Sequence, residues 1–350
     1  MDVSLRRVDL VQFRNHRELS VELSPITVLT GENGAGKTAV LEAISYLSVA
    51  SSWRTEHDTD VVQWGESFCK VQGQRDVIHE LVIQRSPMFK RIRVDGVSKR
   101  LKDILGVLPT VLFQPEDSLL LYGSPAYRRQ LMDRLLAQTH GNYAAALSQY
   151  QKVLKQRNRL LKHIQEGKAG IDELEYWDVE LDAAAQVIVA ARHQFVGQLQ
   201  QLLPEYYGNL MEGGERAEVT YQMSPHADEP LLHKLRQNRD KELLQGTTLY
   251  GPHREDLLFL YHGSPAAESV SRGQGRALIV AVKLIEIAFL HQCTEAKPLL
   301  LLDDVFSEFD EVRQKVLLSI LPQYQTVLTA THLGQLTKQL PGSCANVHIA

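Results

Sequence analysis

A chain of 350 residues, 44% hydrophobic and 23% charged, has ordinary globular composition and length enough for two domains with ample core. Its formal net charge of −4 excludes a general polycation, so contact with a polyanion needs a local basic patch, or one completed by a second copy. Cys69, Cys293 and Cys344 lack C-x-x-C spacing and no H-E-x-x-H is present, which argues against a zinc site or disulfide framework and fits a reducing cytoplasm. The first residues show no signal-peptide core, and no apolar run approaches membrane-span length, so neither secretion nor a membrane span is expected.

Residues 3–13 and 19–23 read as two strands, with Arg14-Asn15-His16-Arg17 between them as a basic turn, either a solvated tip or a nucleotide contact. An apolar strand at 26–29 leads into Gly31-Glu32-Asn33-Gly34-Ala35-Gly36-Lys37-Thr38, and a helical pattern follows at Val40, Leu41, Ala43, Ile44 and Leu47. Short strands at 69–73, 80–84 and 91–94, with a hairpin turn at 94–97, suggest an antiparallel sheet beside the main one. Another strand at 110–113 ends in Gln114-Pro115-Glu116-Asp117.

From about residue 125 to 203 the pattern turns helical, in segments 127–139, 143–165 and 171–203. The last two are expected to pair as a short antiparallel hairpin, far too short for an extended rod. Strand-like 219–222, helical 229–244 and strand-like 248–250 and 257–261 follow. The end alternates helix 272–293, strand 298–302, helix 311–320 and strand 326–330, which implies a parallel sheet with crossover helices. The expected class is α/β, a mixed-sheet nucleotide-binding head over 1–124 and 246–350 with a helical lobe inserted at 125–245.

Strand, glycine-rich turn and helix in that order match G-x-x-x-x-G-K-[ST], a phosphate-binding loop. Its glycines let backbone N–H groups curl round phosphate oxygens, and the helix N-terminus adds partial positive charge. Lys37 can reach the β- and γ-phosphates and the Thr38 hydroxyl can ligate Mg²⁺, so ATP with Mg²⁺ is the implied ligand. The all-apolar run 298–302 suits a strand buried on both faces and ends in Asp303-Asp304. There Asp303 can hold Mg²⁺ beside Thr38, and Asp304 can orient or deprotonate a water. Ser271-Arg272-Gly273-Gln274 opens a helix; Ser with Gln three residues on is either a simple capping box or a phosphate-facing terminus.

Together, GENGAGKT, FQPED, SRGQ, LLLLDDVFSEFD and Thr331-His332 resemble the ATP-binding cassette ATPases in order and spacing. Within that group the chain resembles the RecF family of bacterial recombination mediators. The likeness rests on Phe13-Arg14-Asn15, Leu41-Glu42-Ala43-Ile44, Ser52-Trp53-Arg54-Thr55, Phe113-Gln114-Pro115-Glu116-Asp117, Gly123-Ser124-Pro125 with Arg128-Arg129, and Gly251-Pro252-His253-Arg254. The Asp-Asp pair, where most cassette ATPases have Asp-Glu, separates it from a transporter subunit. Short helical arms separate it from a rod-tethered chromosome-condensing ATPase. A nucleotide-dependent scaffold with negligible turnover stays open.

The resemblance implies that residues 31–38 cradle the triphosphate and that Gln114 senses Mg²⁺ or attacking water. It makes Asp304 the catalytic carboxylate and His332 the γ-phosphate sensor. Ser271, with Gly273 and Gln274, would complete the site of a facing copy, and residues 307–310 would lie near that interface. It further implies an ATP-dependent homodimer that binds duplex DNA, hydrolyses slowly, and works with RecR and RecO to load RecA at gaps, in replication-gap repair and the SOS response. Basic clusters available for DNA are Lys90-Arg91-Arg93, Lys99-Arg100-Lys102, Arg128-Arg129 and Lys152-Lys155-Arg157-Arg159-Lys162.

Overall fold

The computed structural model describes residues 5–55, 57–211, 215–224, 229–308, 310–330, 340 and 344–350. The chain divides into two compact units, one made of Met1–Ser118 and Arg276–Ala350, the other of Leu119–Gly275.

The first unit carries two sheets. A five-stranded parallel sheet runs in the order Ala345–His348, Ile26–Thr30, Thr326–Ala330, Leu299–Leu302, Thr110–Phe113. Its three central strands, apolar apart from four threonines, are closed to solvent at nearly every position, as strands covered on both faces must be. The second sheet is antiparallel, with Arg7–Phe13 between His16–Glu22 and Phe68–Gln74, followed by Ile78–Gln84, Phe89–Val94 and Val97–Lys99. Its first strands alternate buried and open positions, so one face is inward and the other wet. The helix Lys37–Val49 packs against strands of both sheets, and every position but Thr38 is buried. One hydrophobic cluster joins Val8, Leu10 and Val71, Val40 and Ile44, and Leu299, Leu301 and Val327. The helix behind the glycine-rich turn is therefore the central rod of this unit's core.

The helix Arg272–Thr294 corrects one expectation. With a mean hydropathy of 1.6 over its apolar window it is long and apolar enough to cross a membrane. However, 67% of that window is buried within the protein, and Lys283 and Glu286 lie inside it, so it is a core helix.

The second unit is largely helical. Tyr143–Gln165 and Leu174–Gly208 pack along each other as the expected hairpin, beside Pro125–Thr139. The longer arm runs past Pro204, beyond the expected end at 203, because a proline in the last turns removes a single ladder bond. A small sheet places Asp256–Tyr261 between Ala217–Gln222 and Ser264–Pro265. The helix expected over 229–244 is two, Leu231–Gln237 and Arg239–Gln245. It breaks at Asn238, whose side-chain amide donates to the Lys234 carbonyl at 3.0 Å and competes with the helical ladder. Residues 248–250 do not form the expected strand. The Thr248 N–H donates to Asn158 Oδ1 at 2.8 Å and the Leu249 N–H to Glu242 Oε1 at 2.7 Å, so side chains take the bonds a sheet would need.

That detour is tied down by buried charge. Arg157, fully buried, donates to Asp178 and Glu242 at 2.7 Å each and to the Thr248 hydroxyl at 2.8 Å. Arg192 similarly binds Glu255 and the Pro252 carbonyl at 2.7 Å, and Asp133 at 2.8 Å. Gly251-Pro252-His253-Arg254 closes the knot. Gly251 has φ 130° and a Cβ there would meet Tyr150 Oη at 2.3 Å, so only glycine fits. His253 Nδ1 lies 2.6 Å from the Tyr150 hydroxyl and Nε2 lies 3.2 Å from the Thr248 carbonyl. Nε2–H therefore donates to the carbonyl and Nδ1 accepts from the tyrosine, a neutral ring. Burial pushes His253 down from 6.5 to about 4.

The unfolded chain takes up the proton first, so stability is complete above about pH 6.5 and falls as pH drops toward 4. The loss reaches about 3 kcal/mol at the acid end. Urea unfolding of wild type and His253→Gln from pH 7 to 4 should show a gap that narrows with acid; a constant gap would rule the histidine out.

Candidate functional site

The site lies at the carboxyl ends of the parallel strands, where the strand Ile26–Thr30 meets the helix Lys37–Val49. Three glycines of the turn have positive φ, Gly31 at 149°, Gly34 at 89° and Gly36 at 100°. Gly31 also has no room for a side chain, since its Cβ would meet the Ile349 carbonyl oxygen at 2.2 Å. Lys37 is buried and folds its ammonium across the loop, donating to the carbonyls of Gly31 at 2.8 Å and Glu32 at 3.0 Å.

The basic turn before the loop is a brace. Asn15 donates to the Gly34 carbonyl at 3.3 Å and His16 Nε2 lies 3.1 Å from the Gly36 carbonyl. Arg14 forms a two-pronged pair with Glu42, at 2.9 and 2.5 Å. Glu42 is fully buried on the helix and also accepts from Ser52 Oγ at 2.5 Å, with Arg54 at 3.5 Å. Three strings separate in sequence thus converge on one carboxylate. Their meeting is not visible in the sequence, where the three strings lie well apart.

Thr38, Asp303 and Thr329 form the polar centre. Asp303 Oδ1 accepts from Thr38 Oγ1 and from Thr329 Oγ1, both at 2.9 Å, and Thr329 Oγ1 in turn accepts the Asp304 N–H at 2.9 Å. Burial raises the Asp303 pKa, opposed by the two hydroxyl bonds and aided by the charges of Asp304 and Glu116. Asp304 follows at φ 49°, a left-handed conformation uncommon away from glycine. Gln114 stands one residue beyond Phe113, whose carbonyl accepts the Asp303 N–H at 2.9 Å, so the two strand ends are neighbours. Thr329 has no distinctive signal in the sequence, since its strand carries a second threonine, Thr326.

The residues present fit a nucleotide-bound cation. The Thr38 hydroxyl and Asp303 carboxylate are hard oxygen donors side by side. No group of three His, Cys, Asp or Glu among the described residues could hold a metal unaided. A cation here needs phosphate oxygens to complete its shell, the usual habit of Mg²⁺.

Ser271 and Gln274, in the second unit, do form a capping box. Ser271 Oγ accepts the Gln274 N–H at 3.3 Å and Gln274 Oε1 the Ser271 N–H at 2.8 Å, with Ser271 itself exposed. Gly275, unusual in a first helical turn, is explained by closeness: a Cβ would meet Tyr122 Oη at 2.8 Å. His332 and Thr331 lie outside the described residues, as do Phe309 and the side chains of Ser307 and Glu308.

The basic clusters divide sharply. Arg128 and Arg157 are not surface residues: Arg128 is buried in a pair with Asp256 at 2.7 and 2.9 Å, and Arg157 lies in its charge knot. Arg129 donates to the Glu255 carbonyl at 2.8 Å, Lys90 pairs with Asp58 at 2.6 Å, and Arg100 with Asp103 at 3.3 Å. Lys152, Lys155, Arg159 and Lys162 are exposed along the helix Tyr143–Gln165, at spacings that place them on one face.

A family model described as the RecF/RecN/SMC N-terminal domain matches residues 4–340. The DNA replication and repair protein RecF of Moorella thermoacetica is 37% identical over 346 residues, covering 97% of this chain and 92% of that protein. The chain belongs to the RecF family. RecF of Halalkalibacterium halodurans is 38% identical, covering 96% of this chain and 94% of that one. A solved structure of the recombination mediator protein RecF-ATPrS in the RecFOR pathway superposes with a TM-score of 0.87 at 30% identity, covering 99% of this chain and 96% of its own. A Pyrococcus furiosus Smc head, at TM-score 0.52 and 14% identity, shares the fold. The expected cassette-type α/β fold is thus the observed one, shared with RecF and Smc heads.

The Glu42 hub makes a measurable demand. Arg14→Met leaves a fully buried carboxylate short of its best partner, and should lower the unfolding free energy by about 3 kcal/mol. Amide hydrogen exchange at residues 33–37 should quicken in that variant, while exchange in the second unit stays unchanged.

Proposed function

We propose that this protein is an ATP-dependent DNA-binding ATPase of recombinational repair, using nucleotide as a switch. The observation that carries the reading is the Thr38–Asp303–Thr329 centre beside a loop whose glycines adopt positive φ. In this reading residues 1–124 and 246–350 are the ATPase head and 125–245 an inserted lobe. Residues 31–38 hold the triphosphate, with Lys37 turning from its own loop carbonyls toward phosphate oxygens. Thr38 and Asp303 hold Mg²⁺, which when bound neutralises charge on the phosphates, and Gln114 faces the same place. Asp304 orients or deprotonates the attacking water, while His332 senses the γ-phosphate.

Ser271, with Gly273 and Gln274 at an exposed helix N-terminus, completes the site of a second copy. A γ-phosphate held by both copies links ATP occupancy to dimerisation, and slow hydrolysis then releases the pair. The relatives are named for DNA replication and repair, and a solved relative is RecF-ATP in the RecFOR pathway. Those names support a role in DNA repair; in this reading the substrate is duplex DNA beside single-stranded gaps. RecR with RecO are the partners, RecA is the recombinase loaded, and gap repair and the SOS response are the setting. We assign the DNA face to the exposed Lys152, Lys155, Arg159 and Lys162, which contact phosphates without reading bases.

Fluorescence anisotropy with labelled duplex, in ATP, ADP and no nucleotide across a salt series, tests this. Retention should appear with ATP alone and fall steeply with salt, and Lys37→Ala should abolish both ATP binding and retention. Equal retention in all three states would point to a scaffold instead. Lys155→Ala with Arg159→Ala should keep ATP binding but reduce the slope of log affinity against log salt by about 2.

A further inference from the structure

Gln114 sits at a strand end, where a backbone is free to fray, yet its proposed work demands a fixed position beside Asp303. A closed turn holds it. The Asp117 N–H donates to the Gln114 carbonyl at 3.0 Å, and Asp117 Oδ2 accepts the Gln114 N–H at 3.0 Å. Asp117 is only 6% exposed, and its other oxygen lies 3.3 Å from Lys283 Nζ. Lys283 also donates to Glu286 Oε2 at 3.1 Å, and both residues are fully buried on the long core helix. The same ammonium lies 5.9 Å from the centre of the Phe113 ring, the residue just before Gln114.

This lysine interrupts an apolar run, Ala277-Leu278-Ile279-Val280-Ala281-Val282 before it and Leu284-Ile285 after it. A buried ion pair is a poor source of stability compared with a well-packed aliphatic side chain. What it supplies is direction: it fixes one carboxylate orientation, and that carboxylate fixes one backbone N–H.

We infer that Asp117 and Lys283 are positioning residues for the nucleotide reaction. Lys283 anchors Asp117, Asp117 clamps the Gln114 backbone, and Gln114 is thereby held next to the Thr38–Asp303 pair. The inference rests on the ATPase reading above. It concerns where Gln114 is held, not whether nucleotide binds.

The experiment begins with wild-type ATP binding, by titration calorimetry with and without Mg²⁺. No binding there overturns the ATPase reading itself. With binding established, Asp117→Ala removes the clamp and leaves Lys283 paired with Glu286, while Asp117→Asn keeps an acceptor for the Gln114 N–H. In Asp117→Ala the Gln114 amide should exchange faster, by about tenfold or more. The kcat for ATP should fall roughly tenfold to a hundredfold with ATP affinity in metal-free buffer within about twofold. Asp117→Asn should recover most of both. Wild-type exchange and kcat in Asp117→Ala would overturn the inference, as would a kcat loss that follows Tm across the series and is equal in the two variants. Where Asp117→Ala does not fold, Lys283→Met with Glu286→Gln is read by the same measurements, with the same expected and overturning results.

Discussion

One carboxylate joins three distant stretches of chain. Asp303 accepts hydrogen bonds from the hydroxyls of Thr38, on the first turn behind the glycine loop, and of Thr329, on a strand formed almost at the other end of the sequence. Each charge-assisted bond is worth about 1.5–3 kcal/mol, against a burial cost of several kcal/mol for the ion. Burial is the larger influence, since the group is held above the usual aspartate range. A site so balanced is short of positive charge, which is the physical condition for recruiting a cation with its phosphates.

Around that centre the structure spends polar groups on holding backbone rather than on touching solvent. Asn15 and His16 reach carbonyls of the loop, Glu42 gathers Arg14, Ser52 and Arg54, and Asp117 closes the turn at Gln114. The second unit follows the same rule. Arg157, Arg192 and Arg128 are all buried, each against carboxylates, and the His253 ring is kept neutral between a tyrosine and a carbonyl. Buried networks of this kind add little net stability when complete and cost much when broken, so they favour a single arrangement.

Much of this was legible in the chain. The strands Thr110–Phe113 and Thr326–Ala330 and the helix Glu311–Ile320 fall where apolar runs and periodicity place them, because those signals report burial directly. The loop was legible because its glycines and lysine answer to one ligand chemistry. Thr248–Leu249 misled for the opposite reason: residues with strand character were claimed by side chains far away in sequence, Asn158 and Glu242. Arg128 and Arg157 misled likewise, since a charge string shows a basic residue but not the carboxylate waiting for it. Thr329 and Glu42 became meaningful only when tertiary contact supplied their partners.

The strand that carries the glycine loop lies between Thr326–Ala330 and Ala345–His348, both made some three hundred residues later. During synthesis, therefore, the loop emerges early and waits, unpaired on both edges, while the contiguous stretch Leu119–Gly275 can collapse on its own local contacts. The glycine loop takes its place in the sheet only once strands some three hundred residues further along have been made. A chain without Thr326–Ala330 and Ala345–His348 would carry the whole glycine loop on a strand with both pairing edges open.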